Sequence, residues 1–95
     1  MNTENYEWDE EKADDNFEKH GVNFEEAKTI FNDQLAMTMP DQDHSVGEDR
    51  FIDIGMSGNY RILVVHYTMR EGNIRIISSR EATVWEKRAY EEGYY

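Results

Sequence analysis

Ninety-five residues can close one hydrophobic core but not two, so a single domain spanning residues 1–95 is expected. An apolar fraction of 38%, with twelve Phe, Trp and Tyr residues, supports a globular chain despite a net charge of −11, and the absence of cysteine excludes disulfides and thiolate metal sites. The opening Met1-Asn2-Thr3-Glu4-Asn5 lacks a basic or apolar leader and no later segment has the apolar length of a membrane span, which points to a soluble cytoplasmic protein in a reducing compartment.

Tyr6-Glu7-Trp8 alternates in the manner of a short strand, and Asp9 is placed to cap a helix running to about Lys19. On that helix Ala13 and Phe17 lie one turn apart and are expected to face the core, while Lys12, Asn16, Lys19 and His20 share a neighbouring stripe. Gly21 ends it. Asn23-Phe24-Glu25-Glu26 resembles a capping box for a second helix, with Ala27, Ile30 and Phe31 on its apolar face and an end near Asn32-Asp33.

Leu35 to Met39 alternates and is closed by Pro40, before a loop, Asp41 to Ser45, expected to be solvated. Three β-like runs follow, Arg50 to Met56, Tyr60 to Thr68 and Asn73 to Ser79, joined by glycine-containing turns at Ser57-Gly58-Asn59 and Arg70-Glu71-Gly72-Asn73. Thr83-Val84-Trp85-Glu86 is a capping box that opens a last helix to about Glu92. The expected fold is therefore α+β: an antiparallel sheet of about four to five strands, two N-terminal helices and one C-terminal helix.

Charge is unevenly spread. Acids crowd both ends, from Glu4 to Asp15 and at Glu86, Glu91 and Glu92, whereas Arg61 to Arg80 holds four arginines and a single glutamate. A basic segment inside an acidic chain is a candidate surface for an anionic ligand.

Two ordered motifs carry a resemblance. Trp8-Asp9, Lys12-Ala13, Asn16, Lys19-His20-Gly21-Val22, Phe24 and Ala27 form the first. Tyr67-Thr68, Arg70, Arg75-Ile76-Ile77-Ser78, Arg80, Ala82-Thr83, Glu86, Arg88 and Tyr90-Glu91 form the second. Together they are similar to the BrnT toxin family over most of the chain. That resemblance implies a RelE-like fold, endoribonuclease activity as the toxin of a type II toxin–antitoxin pair, and a BrnA-like DNA-binding antitoxin as partner, in a dimer or heterotetramer. The chain departs from the family pattern at Ser79, where a small apolar residue is expected, and at Asp14, Asp15 and Glu18, where more basic residues are expected.

Cleavage of RNA by such a domain needs no metal or cofactor, because the ribose 2′-hydroxyl can attack the adjacent phosphorus. The protein must remove a proton, stabilise charge on the phosphorane and supply a proton to the 5′-oxygen. Arginine suits the phosphate because its planar fork stays charged and makes paired hydrogen bonds. Arg75, pointing inward from a strand, and Arg80, near the Thr83 helix start, are the first candidates for phosphate contact, unless carboxylates claim them. Lys12, Lys19 and His20 form a second catalytic cluster. A histidine titrates near neutrality, with an unperturbed pKa of about 6.5, but Lys-His-Gly also suits a helix C-terminus, and Lys12 an ion pair with Asp9.

Arg61, Tyr67, Arg70, Arg88 and Tyr90 are candidate RNA contacts, the tyrosines through stacking or, alternatively, as packing residues with a polar tip. His66, flanked by Val64 and Val65, reads as a satisfied core histidine. Asp41, Asp43 and His44 match no EF-hand spacing, so no metal site is expected. Glu86 serves the capping box, with a salt bridge to a site arginine as a second role. A different functional class stays open throughout: an inactive toxin homologue that acts as an antitoxin-binding regulatory protein.

Overall fold

A local signal opens each helix. In the computed structural model, which describes residues 5–43 and 47–93, the Asp9 carboxylate accepts hydrogen bonds from the amides of Glu11 and Lys12, at 2.9 and 3.2 Å, and starts helix α1, Glu10–His20. Gly21 closes it at φ 71°, a conformation that a side chain would strain. Asn23 caps α2, Phe24–Ala27, which tightens at once into a 3₁₀ segment, Lys28–Asn32. The second helix is thus two short pieces rather than one continuous α-helix, the tighter winding carrying Ile30 into the core. Thr83 and Glu86 form a complete capping box on α3, Val84–Glu92.

Five strands make one sheet in the order β1-β5-β4-β3-β2, with β1 at Tyr6–Glu7, β2 at Met37–Pro40, β3 at Arg50–Met56, β4 at Ile62–Arg70 and β5 at Asn73–Glu81. The three long strands form the expected antiparallel meander, and β2 adds antiparallel to β3. One pairing differs from expectation: β1 runs parallel to β5, so the sheet is mixed. The long crossing from the first strand to the last makes that orientation possible. Glu71 and Gly72, both at positive φ, turn β4 into β5.

The two faces of the sheet are unlike. One holds the main core: Leu63, Val65, Tyr67, Ile74 and Ile76 pack against Val22, Phe24, Ala27 and Ile30 beneath α1 and α2. The other has a smaller core, Ile54, Ile62, Val64 and Ala82, against which Tyr90 of α3 packs. Beyond α3 this second face becomes polar. A bulge sits between the two halves of β5: Tyr67 pairs with Ile76 and His66 with Ser78, leaving Ile77 as the extra residue. Face alternation along β5 resets there, so Ser79, 1% exposed, joins Ile74 and Ile76 on the core side.

Phe17 does not face the core; it is 53% exposed. Ala13 and Asn16 make the sheet contact instead, because a polar edge has to be satisfied there. Asn16 Nδ2 donates to Ser79 O and Val22 O, each at 2.9 Å, and Oδ1 accepts from Ser79 N at 3.1 Å. β1 covers only the start of β5, so a side-chain amide completes the exposed edge of the strand further along. The Ser79 hydroxyl itself is buried without a partner among the described residues, at the position where a small apolar residue was expected.

Candidate functional site

Two clefts meet at the bulge of β5. The first, of about 140 Å³, gathers Lys12, Arg50, Arg70 and Arg75 with Asp9, Glu48 and Thr68. The second, of about 210 Å³, is lined by Lys12, Asp15, Lys19, His20 and the bulge residues Ile77 and Ser78. Lys12 and Ile77 belong to both. The structure therefore brings Lys12, Lys19, His20, Arg70 and Arg75 together, and adds Arg50, which the sequence reading missed because it stands at the start of an unremarkable strand.

Each arginine of the sheet has a carboxylate. Arg75 Nη1 donates to Glu7 at 2.8 Å, its parallel strand partner. Asn73 and Arg75 hold the Glu7 pKa below the usual carboxylate range by hydrogen bonding. Arg50 and Arg70 converge on Glu48, at 3.2 and 3.7 Å. Arg80, on β5 rather than in a loop before the helix, makes a two-pronged contact with Glu86 at 2.8 and 2.9 Å. That contact, above all, pushes the Glu86 pKa down to about 2, burial opposing and the Thr83 amide assisting. Glu86 thus performs both roles, since the same carboxylate also accepts from the Thr83 amide at 2.8 Å.

Arg61 lies at the far end of β4 from Arg75. Its guanidinium contacts Glu26, Glu81 and the Gly21 carbonyl. Hydrogen bonding to Glu26 raises its pKa further above the ordinary arginine range. Tyr67 is 8% exposed and donates to Asp53 at 2.9 Å, which leaves little ring to stack on a base. Burial pushes Asp53 up as a carboxylate. Tyr90 donates to Asp33 at 2.6 Å, and burial first, then that bond, pushes its hydroxyl up to about 12. Arg88 stacks over Trp85 on exposed α3, 5.3 Å from the ring centroid.

Lys12 makes no ion pair with Asp9, whose carboxylate is engaged by backbone amides. Asp41 is not solvated: it is 5% exposed and lies 3.2 Å from Nδ1 of His66. The chain has brought the end of β2 over the middle of the sheet, which no local pattern announces. His66 is not a fully buried core residue either, its side chain being 25% exposed. His44 lies outside the described residues. No helix among the described residues is long and apolar enough to cross a membrane.

The chain is a small α+β domain, a mixed sheet with α1 and α2 against one face and α3 against the other, and a cation-lined cleft at its bulged strand. The family model described as "Ribonuclease toxin, BrnT, of type II toxin-antitoxin system" matches residues 8–86, and the chain belongs to that family. The fold is similar to the crystal structure of the Brucella abortus ribonuclease toxin, BrnT, with a TM-score of 0.65 and 24% identity, over 83% of this chain and 97% of that one. No curated protein sequence matches the chain.

Proposed function

We propose that this chain is an endoribonuclease toxin that cleaves RNA by attack of the ribose 2′-hydroxyl on the neighbouring phosphorus, a reaction that needs no metal. One observation carries the reading. In a chain with 21 acids and 10 bases, the cleft against β5 reverses the balance, with Lys12, Arg50, Arg70 and Arg75 against Asp9 and Glu48. A local excess of cations in an acidic molecule draws a phosphate chain to one place.

Arg75, in the first cleft, and Arg80, further along β5 and lining neither cleft, take phosphate oxygens and stabilise the phosphorane, while Lys12, Lys19 and His20 line the second cleft. Arg70 extends the track, and Arg88 and Tyr90 on α3, which line neither cleft, would meet RNA only beyond it. Arg61 and Tyr67, tied to buried carboxylates, serve the fold. The partner is a BrnA-like DNA-binding antitoxin in the cytoplasm, in a dimer or heterotetramer, and the acidic remainder of the surface suits a basic partner.

Expression of the chain alone, beside the Arg75→Ala, Arg80→Ala double variant, tests the reading. The wild type should arrest growth and degrade cellular RNA, and the variant should do neither. Identical growth and identical RNA profiles would sink the proposal. A second reading, an inactive homologue that only regulates with its antitoxin, is favoured by the carboxylates already seated on Arg75 and Arg80. It expects intact RNA from the wild type together with tighter operator binding by the antitoxin when the chain is present.

A further inference from the structure

The second face of the sheet carries one titratable pair that the proposed site leaves unused. His66 stands in the middle of β4, opposite Ile52 on β3 and Ser78 on β5. Nδ1 of His66 lies 3.2 Å from the buried Asp41 carboxylate, and since an ionised carboxylate only accepts, the ring nitrogen facing it is the one that carries the hydrogen. The neutral ring then carries its hydrogen on Nδ1 and its basic lone pair on Nε2, which points away from Asp41. With 25% of its side chain exposed, the ring is within reach of a bound molecule.

Its position on the sheet decides what that molecule could be. Val64 pairs with Arg80, His66 with Ser78 and Thr68 with Arg75. Residues two apart along a strand share a face and lie about 7 Å from one another. His66 therefore occupies the row between the rows of the two arginines assigned to phosphate. We propose that His66, oriented by Asp41, is the general base of RNA cleavage, in place of His20. The inference rests on the ribonuclease reading.

In the step, Nε2 takes the proton of the 2′-hydroxyl, the 2′-oxygen bonds to phosphorus, and the bond from phosphorus to the 5′-oxygen breaks. The departing oxygen takes a proton from water, and the hydroxide left behind removes the proton from the imidazolium. The products are a 2′,3′-cyclic phosphate end and a 5′-hydroxyl end. Asp41 keeps the ring in the required tautomer and stabilises the imidazolium while it lasts. His20 is exposed at the end of α1, and no carboxylate among the described residues orients its ring. The other charges flanking His66 are Arg50 with Glu48, Arg75 with Glu7 and Arg80 with Glu86, each cation beside its own acid.

The test is cleavage of a randomised single-stranded RNA pool across pH by wild type, His66→Gln, Asp41→Asn and His20→Gln, each checked for folding by circular dichroism. His66→Gln should lose on the order of 100-fold in rate, together with the rising limb of the pH profile, while retaining RNA on a filter. Asp41→Asn should cleave about tenfold more slowly, with the limb moved to lower pH because the imidazolium has lost its anion. His20→Gln should keep the limb. A His66→Gln rate and limb equal to wild type overturn the assignment and leave the ribonuclease reading standing. A wild type that cleaves nothing overturns both. If His66→Gln does not fold, Asp41→Asn decides, and an unshifted limb overturns the assignment.

Discussion

The two cationic clusters of this molecule hold their charge in different ways. Lys12, Lys19 and His20 stand exposed on α1 around the bulge of β5, and no ion pair engages them among the described residues although Asp15 borders the same cleft. Arg50, Arg61, Arg70, Arg75 and Arg80, on or beside the strands, each have a carboxylate within 4 Å. Side-chain chemistry accounts for the contrast. A lysine ammonium is strongly hydrated and rests in water, whereas a half-buried guanidinium is a weakly hydrated fork that needs acceptors. A phosphate arriving at α1 therefore gains attraction with little to displace. At Arg75 or Arg80 it must take the place of a glutamate already at hydrogen-bonding distance.

The largest expected effect breaks the exposed cluster. Lys12→Glu with Lys19→Glu should weaken RNA binding on the order of 100-fold at low salt and flatten the dependence of log K on log salt by about 1.4, as the loss of two phosphate contacts to a single strand requires. Fluorescence anisotropy across salt concentrations measures both. A smaller loss than Arg75→Ala produces would reverse the comparison and make the arginines the primary electrostatic site. Next comes the link between the clusters. Asn16→Ala removes three buried hydrogen bonds and leaves the Ser79 backbone groups unsatisfied, which should cost about 2–4 kcal/mol in denaturant unfolding. A loss under about 1 kcal/mol would mean that α1 is held by Ala13 and Trp8 packing alone.

What could be read before the fold was known follows the range of the signal. Asp9, Asn23 and the Thr83–Glu86 box act within one helical turn: the Asp9 cap and the Thr83–Glu86 box form as expected, while Asn23 caps with its own side chain only, the Glu26 carboxylate turning instead to Ser57 and Arg61. The Glu71-Gly72 turn is equally local. Parallel pairing of β1 with β5 joins residues nearly seventy positions apart, and alternation within either strand carries no information about it. The Phe17 expectation failed because apolar spacing suggested a hydrophobic contact where the open edge of β5 required an amide. The cluster Lys12, Lys19 and His20 was visible as a helical stripe. Arg50 and the Asp41–His66 pair were not, because loop and strand closure alone brings them to the site.

The Arg80–Glu86 pair allows a pH test of how firmly the arginines are held. Glu86 has a pKa of about 2 in the folded protein against an ordinary 4.5. A carboxylate shifted down contributes stability that is fully present above about pH 4.5 and is lost as pH falls toward 2. With Arg80 partly open to solvent, that contribution should be on the order of 1 kcal/mol. Thermal melts between about pH 5 and pH 2.5 should show the wild type losing more stability than Glu86→Gln. Parallel losses in the two proteins would mean that the pair adds nothing and that Arg80 is available to a ligand at little cost.

The smallest expected effect bears most directly on the contrast between free and occupied cations. Glu7 holds Arg75 from the adjacent strand and lies far along the chain from the cluster on α1. Glu7→Gln keeps the volume and an acceptor oxygen but removes the charge, so Arg75 stays placed while its competing anion is gone. RNA affinity should rise about threefold and the salt dependence steepen by about 0.7, the increment of one further phosphate contact. The same substitution in the Lys12→Glu, Lys19→Glu background should recover only part of the lost binding, since one released arginine cannot replace two lysines. An unchanged affinity in both backgrounds would mean that phosphate displaces Glu7 without cost, and the division between the two clusters would then be one of geometry rather than of charge.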